Sequence, residues 1–160
     1  MIYEVMNSIN NHFVDGADCG TFQIVSDGIT GYFSETYIVG MYVMIENSKI
    51  NDGIYLITEV TSGKITVDTV LNAESTSDPI LIFPCTPPKS FIDLATEISG
   101  YTEKVGISSE KLGDYSVSFN GEGSWENAYS SKLNTYRKIY DDRQTVLKRY
   151  NYDINTKSRW

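Results

Sequence analysis

Between Thr21 and Phe83 a single pattern recurs and leaves the chain little choice of architecture. The runs TFQIV, YFSETYIV, MYVMIEN, GIYLITEV, KITVDTV and PILIF are short and rich in β-branched and aromatic residues. Such residues suit a pleated, half-buried surface, so each run reads as a strand. Between them stand Asp27-Gly28, Asn51-Asp52-Gly53 and Ser62-Gly63-Lys64, which supply the positive φ or the preset bend of a tight turn. Consecutive short strands joined by tight turns predict a small antiparallel β-domain, a meander or barrel-like sheet. In MYVMIENSKINDGIYLITEV, alternation puts Tyr42, Met44 and Glu46 on one face and Val43 and Ile45 on the other. Both faces carry bulky apolar groups, so this hairpin is expected to be central and covered on each side.

Helical spacing frames the strands. Ile2, Val5, Met6 and Ile9 predict a short amphipathic helix ending near Asn11. After the strands, Thr86 is placed to cap, Pro87 fits a first helical position and Gly100 fits a helix end. Phe91, Leu94, Ala95 and Ile98 form one stripe between them, predicting a helix from Pro87 to Ser99. ISSEKLGDYSVSF then brings a loop, a turn at Gly113-Asp114 and a strand from Tyr115 to Phe119. A second amphipathic helix is expected from an N-cap at Ser124, with Trp125, Ala128, Tyr129, Leu133, Tyr136 and Tyr140 at three- and four-residue steps. Arg137 and Lys138 suit its negative end, and it extends through Val146 and Leu147 before an irregular tail. The fold class is α+β: an N-terminal helix and small antiparallel β-domain, then two amphipathic helices flanking a loop-strand, with a basic C-terminal tail. The partition is 1–85 for the first helix and the β-domain, 86–140 for the helical region with the loop-strand at 101–120, and 141–160 for the tail.

The net charge of −8 hides an asymmetry. From Ser131 onward eight basic residues face three acidic ones, and before it five face eighteen. An acidic body is unsuited to gripping a nucleic-acid backbone, which needs cations to replace counterions. The basic end is the expected contact for an acidic partner. Twelve tyrosines offer large contact area with a polar tip, useful in strands and interfaces. With no leader-like segment, no long apolar run and only Cys19 and Cys85, a soluble cytosolic product with free thiols and no membrane association is expected.

Chemistry-bearing patterns are sparse. His12 is the only histidine and reads as a structural or exposed side chain at the end of the first helix. A metal site built on it would need carboxylates for every other ligand, and no such cluster is visible in the sequence. Asp15, Asp18 and Asp27 invite a calcium-loop reading, but the twelfth position from Asp15 is Ser26, where the bidentate glutamate belongs. They read as turn formers. Asp141 and Asp142, adjacent on a helix, point in different directions and read as solvated surface. Glu103, Glu110 and Asp114 have neither a nucleophile nor an oxyanion donor beside them. The expectation is therefore no catalytic residue, no metal and no cofactor.

The order of the C-terminal pieces resembles a known family. FIDLATEISGY, then YTEKVGISSEKLGDYSVSF, then SWENAYSSKLNTYRKI is similar to the head-tail connector proteins of long-tailed bacteriophages, also called adaptor or head-completion proteins. Their SE-(K/S)-(L/I)-G-(D/G)-YS segment is matched by Ser109, Glu110, Lys111, Leu112, Gly113, Asp114, Tyr115 and Ser116. A G-x-Y-x-x-I-x-x-S-x-x-N-D-G-x-Y hairpin of phage neck proteins is matched by Gly40, Tyr42, Ile45, Ser48, Asn51, Asp52, Gly53 and Tyr55. The simplest adaptors are mainly helical, whereas this chain has a sizeable β-domain in front.

The resemblance implies a non-enzymatic ring in the virion neck, of twelve copies by family analogy, assembled in the host cytoplasm. It implies contact with the portal protein and with a downstream connector or tail protein, while DNA passes through the channel without specific binding. The loop-strand would meet a neighbouring copy through Ser109, Glu110, Leu112, Tyr115, Val117 and Phe119. The tail would meet the portal through Arg143, Lys148, Arg149, Tyr150, Tyr152, Arg159 and Trp160. Two alternatives stay open: a collar or tail-terminator protein of a contractile tail or tail-like bacteriocin, and a monomeric β-barrel binding module.

Overall fold

A computed structural model describes residues 1–75, 78–105, 110–112, 115–117 and 124–149, with the backbone alone at 102–105, 110–112, 115–117 and 149. The elements run α1 (Ile2–Ser8), β1 (Asp18–Gly20), β2 (Gln23–Val25), β3 (Gly28–Thr30), β4 (Tyr42–Glu46), β5 (Gly53–Thr61), β6 (Lys64–Val67), β7 (Glu74–Ser75) and β8 (Ile80–Cys85). They continue as α2 (Lys89–Val105), β9 (Glu110–Leu112), β10 (Tyr115–Val117), α3 (Trp125–Ala128), α4 (Ser130–Asn134) and α5 (Asp142–Arg149). The fold is α+β and sheet-dominated. Among the described residues no helix is long and apolar enough to cross a membrane.

The chain divides into two compact units, and the division departs from the partition at 85 and 140. Met1–Asn11 joins Pro88–Ile139 in a helical unit, and His12–Pro87 joins Tyr140–Trp160 in a β unit. The first helix thus belongs with the later helices, and α5, expected to lead into a separate tail, belongs with the sheet. Burial is the reason: Val5, Met6 and Ile9 at one end and Val146 and Leu147 at the other are fully or almost fully buried, and neither amphipathic segment is stable alone in water.

In the β unit, strands β1 to β8 form one antiparallel sheet in the order β1-β8-β4-β5-β6-β3-β2-β7. Ile45 stands opposite Ile82 of β8, and Val43 opposite Tyr55 of β5. Directly opposed residues share a face, so the inward face of these strands is almost entirely apolar. Val43 and Ile45 join Ile24, Ile29, Ile57, Ile65 and Ile82 in one core cluster. Met44, on the other face, is also fully buried, as are Phe83 and Cys85. The expectation of a central hairpin covered on both sides is met. β5 pairs with β4 through its first half and with β6 through its second, with a register shift between Ile57 and Glu59. Such a bulge sharpens local twist, and residues from both halves of the sheet feed the same cluster, as in a sheet curled about one core. Gly28 is obligatory where β3 meets β6, because a Cβ there would stand 2.0 Å from the Ile65 carbonyl oxygen.

YFSETYIV does not form the expected strand. Residues 31–41 instead make an ordered loop, because a nearby carboxylate captures the backbone. Asp18 accepts hydrogen bonds from the Ser34 N–H at 2.7 Å, the Glu35 N–H at 3.2 Å and the Tyr37 hydroxyl at 2.9 Å, and also from the Ser34 hydroxyl. Asp18 is a buried strand residue and not a turn former. Burial beside that carboxylate pushes the Tyr37 hydroxyl pKa well up. Asn51 plays a comparable part in the β4-β5 turn, where its side chain binds both the N–H and the carbonyl of Asn72 at 2.9 Å.

In the helical unit, α2 buries Phe91, Leu94, Ala95 and Ile98, the stripe read from the sequence. It starts two residues later than expected, with the Ile92 N–H on the Pro88 carbonyl, and runs through Gly100 to Val105. Gly100 therefore lies inside the helix. The single long helix expected from Trp125 through Leu147 is broken into α3, α4 and α5, with α3 and α4 separated at Tyr129 (φ −107°, ψ 7°) and a non-helical stretch at 135–141 before α5. Ser130, Ser131, Asn134 and Thr135 are residues whose side chains compete for the backbone. The carbonyls at the end of α1 are closed by partners far along the chain. The Arg137 guanidinium donates to Ser8 O at 3.0 Å and the Lys138 N–H to Ile9 O at 2.9 Å. β9 and β10 form their own two-stranded antiparallel sheet, with Tyr115 opposite Leu112.

Candidate functional site

The strongest gathering of chemistry-bearing side chains lies in the β unit, where α5 brings Asp141, Asp142 and Arg143 to His12 and Glu46. Local sequence makes the helix start there. The Arg143 N–H donates to Asp141 Oδ1 at 2.9 Å, the bond of an N-cap residue to the second helical N–H. Capping turns the Asp141 carboxylate back toward the helix start, and the first turn carries Asp142 inward.

Asp142 accepts the His12 backbone N–H at 2.9 Å on Oδ1 and 3.0 Å on Oδ2, and the Val14 N–H at 3.3 Å. His12 Nδ1 lies 3.0 Å from Asp142 Oδ1 and 3.5 Å from Asp141 Oδ1. The Arg143 guanidinium binds both oxygens of Asp141, Nε at 3.0 Å from each, and also bonds to Glu46. The side chain of His12 is 0% exposed and that of Asp142 6%, whereas Asp141 retains 23%.

Protonation equilibria follow from this packing. Burial alone would lower the His12 pKa, but its bonds to Asp141 and Asp142 outweigh burial and raise it. Burial likewise opposes the charge on Asp141, yet the His12 and Arg143 partners hold its carboxyl well below the usual range. Glu46 is pushed up by burial, which its pairing with Arg143 only partly offsets. Cys85 is fully buried, its thiol pKa raised by burial and by the nearby Asp142 charge, so it lacks the thiolate character of a nucleophile.

Two readings from the sequence are corrected here. Asp141 and Asp142 do not form a solvated helix surface, and carboxylates do cluster on the lone histidine. One ligand atom from each of His12, Asp141 and Asp142 lies within 4.8 Å of the others, the one such group with metal-ligating potential among the described residues. Sequence reasoning missed it because His12 and Asp142 are 130 positions apart. The only local signal was an Asp-Asp pair at a helix start, where N-capping is a common role.

Of the residues assigned to portal contact, Arg143 is engaged inside this cluster and Lys148 is exposed. Arg149 ends α5, and Tyr150, Tyr152, Arg159 and Trp160 lie outside the described residues. Of the inter-subunit set, Glu110 and Leu112 fall in β9 and Tyr115 and Val117 in β10, while Ser109 and Phe119 lie outside the described residues. The helical unit adds a groove of about 460 Å³ beside Ser90, Asp93, Leu94, Glu97, Lys132 and Tyr136. A Lys132 to Glu97 ion pair at 2.9 Å occupies its wall. No protein-family model, curated protein or solved structure matches this chain.

Proposed function

We propose that this chain is a structural protein of the bacteriophage neck, a connector subunit that assembles into a ring on the portal and receives the next component of the tail. The reading starts from the sequence resemblance, and one structural observation supports it best. The segment carrying the SE-K-L-G-D-YS motif forms a two-stranded hairpin that pairs with no strand of the main sheet among the described residues. Each strand of such a pair keeps one unpaired edge, and unpaired edges are templates for strand addition by another chain. In a closed ring each subunit would offer its hairpin to a neighbour, so modest contacts are repeated around the circle. The acidic body suits a wall past which DNA slides without adhering.

In this reading α5 itself is not the portal-attachment segment. Asp142, Val146 and Leu147 are buried, so α5 is part of the fold and the attachment segment would begin beyond Arg149. The test is co-sedimentation with portal-bearing capsids, using the full chain, a variant lacking residues 150–160, and Ser116→Pro, which disturbs the β9-β10 ladder. Both variants should keep the wild-type circular dichroism spectrum and lose at least about tenfold in binding, a loss of about 1.4 kcal/mol. Wild-type binding by both would overturn the reading.

A further inference from the structure

The gathering of His12, Asp141 and Asp142 at the start of α5 is the feature that the neck reading leaves unused. Asp141 and Asp142 both face His12 Nδ1, and the Arg143 guanidinium joins Asp141 to Glu46. From the donor geometry, we infer that His12 Nδ1 and the carboxylates of Asp141 and Asp142 form a binding site for a divalent first-row metal ion. The ion would clamp α5 to the segment that leads into the sheet.

The geometry carries this inference. Ligand atoms about 2.1 Å from a common ion stand about 3.0–3.4 Å apart when they occupy neighbouring positions around it. His12 Nδ1 lies 3.0 Å from Asp142 Oδ1 and 3.5 Å from Asp141 Oδ1. All three donor atoms lie within 4.8 Å of one another, so an ion would draw them together around a shared point. The contact between Nδ1 and Asp142 is a hydrogen bond in the metal-free protein. On binding, the ion takes the lone pair of Nδ1, and the displaced proton leaves to solvent.

Supporting contacts hold both carboxylates in place, as metal ligands elsewhere are held by the groups behind them. The backbone N–H groups of His12 and Val14 orient the Asp142 carboxylate. The Arg143 guanidinium orients Asp141 and reaches on to Glu46. Asp141 is the most open of the three, with 23% of its side chain exposed, so an ion would enter from its side. One imidazole with two carboxylates favours zinc or manganese over calcium, which takes six to eight oxygens.

The protein offers a clean probe, because His12 is its only histidine. Untagged full-length chain, stripped with a chelator, would be titrated with Zn²⁺ or Mn²⁺ while the imidazole ring signals are followed by NMR, with calorimetry in parallel. About one equivalent of Zn²⁺ should shift the His12 ring signals, and substoichiometric Mn²⁺ should broaden them. Asp141→Asn keeps a capping side chain and an acceptor for Arg143 but removes the ligating charge, and should weaken binding tenfold or more. Ring signals unmoved by both ions, or an Asp141→Asn variant that folds and binds like wild type, would overturn the assignment. Should Asp141→Asn fail to fold, the response of the wild-type ring decides alone.

Discussion

The two units solve the problem of burying polar groups in different ways. In the β unit, polar side chains go inside and are fully engaged: Asp18 holds a loop, Asn51 joins a turn to a distant segment, and Asp142 binds two backbone N–H groups. In the helical unit the interior is mainly an apolar stripe from α2 with Val5, Met6 and Leu133, and Asn11, donating to the Tyr136 carbonyl at 2.7 Å, is its one buried polar side chain among the described residues. Its ion pairs, Lys89 with Asp93 and Lys132 with Glu97, stay in solvent. A buried, satisfied polar group specifies one local geometry, because any other arrangement leaves it unpaired. An exposed ion pair specifies little, since water replaces either partner. The β unit is therefore where single substitutions should be felt most.

Three substitutions sharpen that contrast or break it. The largest effect is expected for Ile45→Ala, which opens a cavity in the curled sheet where Ile45 is 0% exposed and should cost about 3–4 kcal/mol in urea unfolding. Asp18→Ala should come next, at about 2–3 kcal/mol, because it strands the N–H groups of Ser34 and Glu35 and the Tyr37 hydroxyl. Limited proteolysis should then cut the loop at 31–41, and an uncut loop would show that Asp18 does not organise it. Smallest is Lys132→Ala in the helical unit, where both partners are about half exposed and the loss should stay below about 1 kcal/mol. A Lys132→Ala cost equal to that of Asp18→Ala would erase the distinction between the units.

Much of the sheet was legible because alternation and turn chemistry are local. The β4-β5 hairpin, the Ser62-Gly63 turn, the buried stripe of α2 and the strand starting at Tyr115 follow from neighbours in the chain, whereas β9 was read as loop. The loop at 31–41 was not legible. YFSETYIV has the composition of a strand, and only Asp18, more than a dozen residues upstream, diverts its backbone. The break at Tyr129 was missed for a related reason: apolar spacing continues through it, while the polar residues between weaken the helix. The candidate site was the least legible part, since its histidine and its aspartates look ordinary where they stand and acquire chemistry only together.

Residue order alone determined which segments are strands or helices wherever a short-range signal was strong, because backbone preference and side-chain period act over a few residues. Tertiary structure alone decided that the first helix joins the later helices, that α5 completes the β unit, and that a lone histidine meets two carboxylates. Those outcomes depend on which apolar faces find cover and which buried charges find partners. Both are settled between residues distant in the chain, where no local pattern records them.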